Sequence, residues 1–351
     1  MRTCKILRDE KMKRYNVAVV GVGAVGIEML RVLRQRDFPI ANLKVFARSA
    51  RDIEVEGVKY SVEPISPEGF AGVDVALFAG TEGEKGAAVT YAPEAVKQGA
   101  VVIDNGADFR MDPKVPLVVP EVNPGDVKKH SGIIANPNCS TIQMVVALWP
   151  IYKKVGIRRV VVTTLQAASG AGRQAVEQLN EEIRLISNQG FTNVNVALEK
   201  RAMPQQLGYN VFPHIGGFAQ DDYTSEEWKL VKETHKIMHD NKIKISATTV
   251  RVPVRTGHSE AVYLETREYI SADKVRSILS KAKGIIVIDE PKNSLYPMPK
   301  DVEGRDDVYV GRIRNDPMVK NGLWLWVVAD NLRKGAATNA VQIAELLFEK
   351  A

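Results

Sequence analysis

The sequence predicts an α/β chain in two parts, a doubly wound amino-terminal domain followed by a second α+β domain built on a mixed sheet. Three observations carry this expectation. Short apolar segments alternate with helical patterns through the first part of the chain. A glycine-rich turn joins the first strand to the first helix. From about Val155 the strand-like segments lengthen, with helices between only some of them. Regular alternation of strand and helix argues for a parallel sheet with helices on both faces. Longer strands with irregular helices argue for an α+β layer.

Element by element, Tyr15–Val20 is a short apolar run ending at Gly21, and Ala24–Gln35 has helical periodicity. Leu43–Phe46 and Val73–Phe78 read as strands, a helix lies near Ala92–Gln98, and Val101–Asp104 is the next strand. The apolar stretch Cys139–Trp149 reads as a helix. Strands follow at Val160–Leu165, Ile243–Val250, Ala261–Thr266, Val308–Arg314 and Leu323–Val328. The amphipathic segment Gly335–Glu349 is expected to be a helix that returns to the first domain. A chain of 351 residues is long for one compact core. The expected division is residues 1–138 plus 331–351 for the first domain and 139–330 for the second.

Charge and composition narrow the function classes. The 48 Lys and Arg residues face 42 Asp and Glu, a formal net charge of +6, with the signs interspersed. The densest basic patch is only Lys11–Arg14, so a nucleic-acid binder is not expected. A mild basic excess suits anionic ligands. Two distant cysteines, Cys4 and Cys139, form no disulfide framework, and no Cys/His cluster suggests a metal. No apolar run reaches the ~18 residues of a membrane span, and residues 1–14 lack the apolar core of a secretory signal. Met12 stands just ahead of the first strand, so these residues read as a short polar extension. A reducing cytosol is the expected location.

Gly21-Val22-Gly23-Ala24-Val25-Gly26 follows a strand and opens a helix. Glycines there let the backbone turn and approach a pyrophosphate, which then sits at the positive end of the helix. An NAD site would place Asp or Glu after the second strand to hold the ribose hydroxyls. Here Arg48, Ser49 and Arg51 follow it, and guanidiniums with a hydroxyl suit a 2′-phosphate. NADP is therefore the expected cofactor. The plainer alternatives are a ligand-free tight turn and a solvated basic turn.

Asn136-Pro137-Asn138-Cys139-Ser140-Thr141 places a cysteine at a helix start, where the helix dipole and free N–H groups favour a thiolate. Taken alone, such a cysteine is more often a small buried hydrophobe. Thr224 and Glu227 have capping-box spacing. Glu226 and Lys229, three apart, share one helical face and alone read as a surface ion pair.

Several other segments stand in order around these. Asp104–Arg110 and Val118–Asn123 lie upstream of Cys139. Gln166-Ala167-Ala168-Ser169-Gly170-Ala171-Gly172, Arg251–Glu260 and Ala329–Ala337 lie downstream. Together these resemble the aspartate-β-semialdehyde dehydrogenase family over nearly the whole chain after residue 14. The resemblance implies a Rossmann domain, a catalytic and dimerisation domain, and a homodimer or tetramer. It implies reduction of β-aspartyl phosphate by NADPH to aspartate semialdehyde and phosphate, in amino-acid biosynthesis, through a thioester on Cys139. His258 would be the acid/base and Gln166 would position the acyl group. Arg110 and Lys229 would hold phosphate, and Glu226 and Arg251 the amino and carboxylate groups. Ser169, Gly170 and Asn331 would approach the cofactor. The glycine loop departs from the family's usual GATGAVG by one residue. Asn105-Gly106-Ala107-Asp108 likewise replaces the usual Asn-Ser-Ser-Ala.

Two other readings stay open here. N-acetyl-γ-glutamyl-phosphate reductases share the architecture but usually have Gly where this chain has Asn138. A catalytically inactive regulatory paralogue would not need both Cys139 and His258. A glyceraldehyde-phosphate dehydrogenase would carry Ser-Cys-Thr-Thr-Asn, which is absent.

Overall fold

A computed structural model describes residues 13–80, 86–192, 194–196, 198 and 200–349. Cys4, Met12 and the Lys11 end of the basic patch lie outside the described residues.

The first sheet is built from β1 (Tyr15–Val20), β2 (Ile40–Ala47), β3 (Arg51–Val55), β4 (Val58–Pro64), β5 (Val75–Phe78), β6 (Val101–Asp104) and β7 (Ile133–Ala135). Its spatial order is β3-β4-β2-β1-β5-β6-β7. The strand order reverses at β1, which lies between β2 and β5, so a crevice opens at its carboxyl end. Helices α1 (Ala24–Gln35) and α2 (Ala87–Lys97) connect strands of this sheet. The helix expected near Ala92 already begins at Ala87. Pro93 lies inside this helix.

The sheet is parallel throughout except for β3 and β4, an antiparallel hairpin the sequence reading lacked. Its two-residue turn is Glu56-Gly57, with φ of 50° and 77°. Such a turn suits the twist of the hairpin, but Glu-Gly is not among the usual dipeptides that announce it.

The second sheet contains β8 (Ile157–Gln166), β9 (Lys244–Arg251), β10 (His258–Thr266), β11 (Ile285–Val287), β12 (Val308–Asn315) and β13 (Gly322–Ala329). Its order is β11-β12-β13-β10-β8-β9, with β8–β9 and β11–β12 parallel and β10 antiparallel to both neighbours. Helices α3 (Cys139–Val155), α4 (Arg173–Asn188), α5 (Ser225–Met238), α6 (Ala272–Leu279) and the short α7 (Pro299–Val302) belong to this part. Alternation along β10 turns His258, Glu260, Val262 and Leu264 to one side, where α3, α5 and α6 seal an apolar core. The opposite face carries half-buried Tyr263, Trp324 and Trp326.

The inner face is graded along the strands. Gln166 and Arg251 pair across β8 and β9 at one end. One step inward come Val327, Glu260, Thr164 and Thr249, and then Val262, Val162 and Ala247. The site is therefore a polar cap on an otherwise apolar layer.

After β13 a π-helical turn, Arg333–Ala337, leads into α8 (Thr338–Phe348). Ala340, Val341, Ile343 and Ala344 pack with Val19, Met29, Leu33 and Leu77 of the first domain. Arg333 ties this return to α1 through Glu28 at 2.7 Å and Gln35 at 2.8 Å.

Candidate active site

The glycine loop closes on itself. A Cβ on Gly26 would stand 1.8 Å from the Gly21 carbonyl oxygen, and Gly21 has a φ of +95°. Neither position accepts a side chain. Gly23 differs, because a Cβ there meets nothing within 4 Å. Its glycine leaves room on the side of a cavity of about 990 Å³. Gly21, Gly23, Arg48, Ser49 and Arg51 line that cavity, with Gln174 reaching it from α4. Arg51 donates to the Ser49 hydroxyl at 3.3 Å, so the cationic and hydroxyl groups cluster. Ala24, Val25 and Gly26 form the first turn of α1 behind the loop. The cavity, the open Gly23 and the basic cluster fit a dinucleotide with a 2′-phosphate.

Cys139 is the first residue of α3, and Asn138 caps the helix. The Asn138 side-chain oxygen accepts from the Ser140 and Thr141 amides at 3.0 and 3.2 Å. Its amide nitrogen donates to Glu226 at 2.8 Å, and its backbone N–H donates to Glu233 at 2.7 Å. Asn138 thus ties the nucleophile's helix to α5.

The helix start does not decide the thiol's pKa. Burial and the Glu226 charge push Cys139 up to about 12, against the weaker pull of Arg110, Lys229 and the Ser140 amide. This corrects the expectation of a thiolate at the helix terminus. Desolvation and a neighbouring carboxylate outweigh the helix dipole.

Helix α5 supplies three charges at positions 226, 229 and 233, which share one face. Its start carries the full capping box expected from Thr224 and Glu227. Glu226 accepts from Asn138, from Gln166 at 3.2 Å and from Lys229 at 3.3 Å. Burial pushes its pKa up, but Lys229, these amides and Arg110 together hold it below the ordinary value. Arg110 is buried, donating to Glu233 at 3.1 Å and to the Asn136 and Asn105 carbonyls at 2.9 and 2.8 Å. Glu233 was missed in the sequence, although it stands seven residues after Glu226.

The loop after β8, the end of β9 and the start of β10 bring in the remaining groups. Arg251 donates to the Ala167 carbonyl at 2.6 Å. His258 is fully buried, and its Nδ1 accepts from the Ala167 amide at 3.0 Å. In a neutral ring the proton is then on Nε2, which has no partner. Burial and the Arg251 charge depress its pKa to about 3, against the Glu226 charge.

A Cβ on Gly170 would stand 3.1 Å from both His258 Nε2 and an Arg251 terminal nitrogen. Gly170 therefore keeps open the space those two groups face. Ser169 and Asn331 bond to each other, with the hydroxyl 2.9 Å from the amide nitrogen. Asn331 also accepts from the Gly257 amide at 2.9 Å.

The site thus combines a thiol, a neutral imidazole donor, two carboxylates and three cations, with a cavity beside the glycine loop that suits a dinucleotide. A thiol with an N–H donor suits acyl transfer. Comparison with known proteins agrees. The family described as semialdehyde dehydrogenase, NAD binding domain, matches residues 16–130. The one described as semialdehyde dehydrogenase, dimerisation domain, matches residues 148–334. An aspartate-semialdehyde dehydrogenase from Aquifex aeolicus is 52% identical, over 96% of this chain and 98% of its own length. That of Bacillus subtilis is 47% identical, over 95% and 97%. The solved aspartate semialdehyde dehydrogenase II of Vibrio cholerae, complexed with ASA, aligns at TM-score 0.89 and 44% identity, covering 95% of this chain and 98% of that one. A Candida albicans aspartate semialdehyde dehydrogenase solved with NADP aligns at TM-score 0.71 and 26% identity, over 95% and 98%. The chain belongs to the aspartate-semialdehyde dehydrogenase family.

Proposed function

We propose that the protein reduces L-4-aspartyl phosphate to L-aspartate 4-semialdehyde, using NADPH and a thioester on Cys139. This places it in the aspartate branch of amino-acid biosynthesis that leads to lysine, threonine and methionine. The observation that carries the reading is the shared setting of Cys139, Glu226, Arg251 and His258. The first three influence one another's charge, and Gly170 packs against both Arg251 and His258.

The sulfur of Cys139 attacks the acyl carbon. A C–S bond forms, the C–O bond to phosphorus breaks, and the thiol proton leaves with the phosphate as HPO₄²⁻. NADPH, when bound, supplies the hydride that reduces the thioester. The Nε2–H of His258 faces the oxygen that gains negative charge in both steps, and a buried, fixed donor is effective there. The thiohemiacetal oxygen returns as the aldehyde carbonyl when the C–S bond breaks, and Cys139 takes up a proton. Arg251 offers two parallel N–H groups to the α-carboxylate. Glu226 pairs with the α-ammonium, which also cancels the charge that opposes thiolate formation. Lys229 and Arg110 supply positive field for the phosphate, and Gln166 holds Glu226. Arg48, Ser49 and Arg51 take the 2′-phosphate of the cofactor, and Ser169 and Asn331 hold the loop at its nicotinamide end.

The half-buried Tyr263, Trp324 and Trp326 on the outer face of the second sheet support reading this face as the dimer contact. Arg314 adds a cation 5.4 Å from the Trp324 ring. No helix among the described residues is long and apolar enough to cross a membrane. With the active thiol free, we assign the enzyme to the reducing cytosol.

The test is turnover of aspartate semialdehyde with phosphate and NADP⁺, compared with its N-acetylglutamate counterpart. Aspartate semialdehyde is expected to be the better substrate. Cys139→Ala is expected to lose several orders of magnitude in turnover and keep its NADP affinity. A higher kcat/KM for the N-acetylated aldehyde, or near-normal turnover in the variant, overturns the assignment.

A further inference from the structure

Lys236 is the fourth charge on the active-site face of α5, and the proposed chemistry does not use it. Glu226, Lys229, Glu233 and Lys236 follow one another at steps of three, four and three, which keeps them on one side of a helix. The two carboxylates take side chains and an amide of the site. Lys236 turns instead to the main chain. Its ammonium donates to the backbone carbonyls of Arg110, Asp112 and Val115, each at 2.7 Å. An ammonium has three N–H donors, and these three carbonyls match them.

The carbonyls belong to residues 105–116, the irregular stretch that follows β6 and carries Arg110. Its turns close through long backbone bonds: Arg110 to Ala107 at 3.3 Å, Asp112 to Phe109 at 3.2 Å and Val115 to Asp112 at 3.1 Å. The bonds from Lys236 are shorter and carry a charge, and charge-assisted hydrogen bonds are about twice as strong as neutral ones. One side chain on α5 therefore binds this stretch at three points, beginning at Arg110 itself. One turn earlier on the same helix, Glu233 takes the Arg110 guanidinium at 3.1 Å and the Asn138 backbone N–H at 2.7 Å. Both the backbone and the side chain of Arg110 are thus referred to the helix that also holds the residue before Cys139.

We propose that Lys236 is a positioning residue, which latches residues 110–115 to α5 and so fixes where the Arg110 guanidinium stands relative to Cys139. Lys236 acts through Arg110, and the inference rests on the phosphate role given to Arg110 above. The latch is local. Lys236 is half-buried and its bond to the Asp112 carbonyl is exposed, so water can replace the ammonium there. Val115 stays anchored by its burial in the core cluster that contains Ile237 of α5. What the latch supplies is precision at Arg110, and small misplacements of a binding group are costly.

The test uses the full-length enzyme. Lys236→Met keeps an unbranched side chain and removes its donors. In the oxidative direction its KM for phosphate is expected to rise on the order of 10-fold, with the KM for NADP⁺ and the melting temperature little changed. A collapse of the melting temperature would make Lys236 a structural cation and overturn the inference. Hydrogen exchange reads the latch without reference to phosphate. Amides between 107 and 116 are expected to exchange faster in the variant, and exchange as slow as in the wild type overturns the latch. A double-mutant cycle reads the step from latch to phosphate. In an Arg110→Ala background Lys236→Met is expected to add little to the phosphate KM, because both changes act through one guanidinium. A full further rise in that background overturns the positioning role. So does a wild-type phosphate KM in Lys236→Met where Arg110→Ala raises it. If Arg110→Ala also keeps the wild-type value, the phosphate role of Arg110 is what fails.

Discussion

Gly335 packs directly against Cys139. A Cβ built on Gly335 would stand 2.9 Å from the Cys139 Cβ and 3.3 Å from its Cα. The glycine lies in the π-helical turn between β13 and α8, a local widening of the helix that is frequent at functional sites. Cys139 begins a helix capped by Asn138 and cannot yield without moving its backbone. Gly335→Ala is therefore expected to displace the nucleophile. The overpacking should cost about 1–3 kcal/mol of stability. Turnover should fall by roughly 100-fold if the sulfur shifts by about 1 Å. Steady-state kinetics with a melting curve will check this, and an alanine variant of wild-type kcat would contradict the contact.

The Cys139 thiol, held up to about 12, gives a pH prediction. Below that value the thiolate fraction rises tenfold per pH unit, so alkylation of the free enzyme by iodoacetamide should still be climbing at pH 10. Glu226 disfavours the thiolate. Removing its charge in Glu226→Gln should lower the thiol pKa and speed alkylation at pH 8. The same variant should lose kcat/KM for the aminated substrate. The two effects run in opposite directions, which simple misfolding does not produce. Slower alkylation in the variant would show that Glu226 is not the opposing charge.

Arg48, Ser49 and Arg51 line the cavity beside Gly21 and Gly23. The ratio of kcat/KM for NADP to that for NAD is expected to be well above one. It should collapse in the double variant Arg48→Ala, Arg51→Ala. An unchanged ratio would remove these residues from cofactor selection.

Lys229 and Arg110 should separate under mutation. The Lys229 side chain keeps 27% exposure, whereas the Arg110–Glu233 pair is almost wholly buried. Arg110→Ala leaves the Glu233 carboxylate without its cation, a change that costs about 3–5 kcal/mol for a buried pair. It is expected to lower the melting temperature as well as phosphate affinity. Lys229→Ala is expected to raise the KM for phosphate with little thermal effect. An unchanged phosphate KM in both variants would leave them as structural cations.

The parts legible in the sequence were those set by local rules. β1, α1 and β6 lie where the apolar runs and periodicity put them, and the Thr224–Glu227 cap formed as its spacing indicates. The β3–β4 hairpin was hidden because Glu56 adopts a left-handed conformation that its residue type does not advertise. The Cys139 environment was hidden for a different reason. Its helix start is a local property, but the charge that dominates it arrives from Glu226, 87 positions later on another helix.

The return of α8 affects how the chain assembles during synthesis. Tyr15, the first residue of β1, stacks on Phe348, the last of α8, with ring centroids 3.7 Å apart. The cofactor-binding half emerges first from the ribosome, yet one wall of its core is α8, made only after the strands of the second domain. Until that helix arrives, Val19, Met29, Leu33 and Leu77 lack the side chains that cover them. Amino-terminal domains generally fold as they emerge. Here that order is reversed in part: the second domain has all of its strands before the first can close. Nucleotide affinity should therefore be acquired late, after the catalytic half has taken shape.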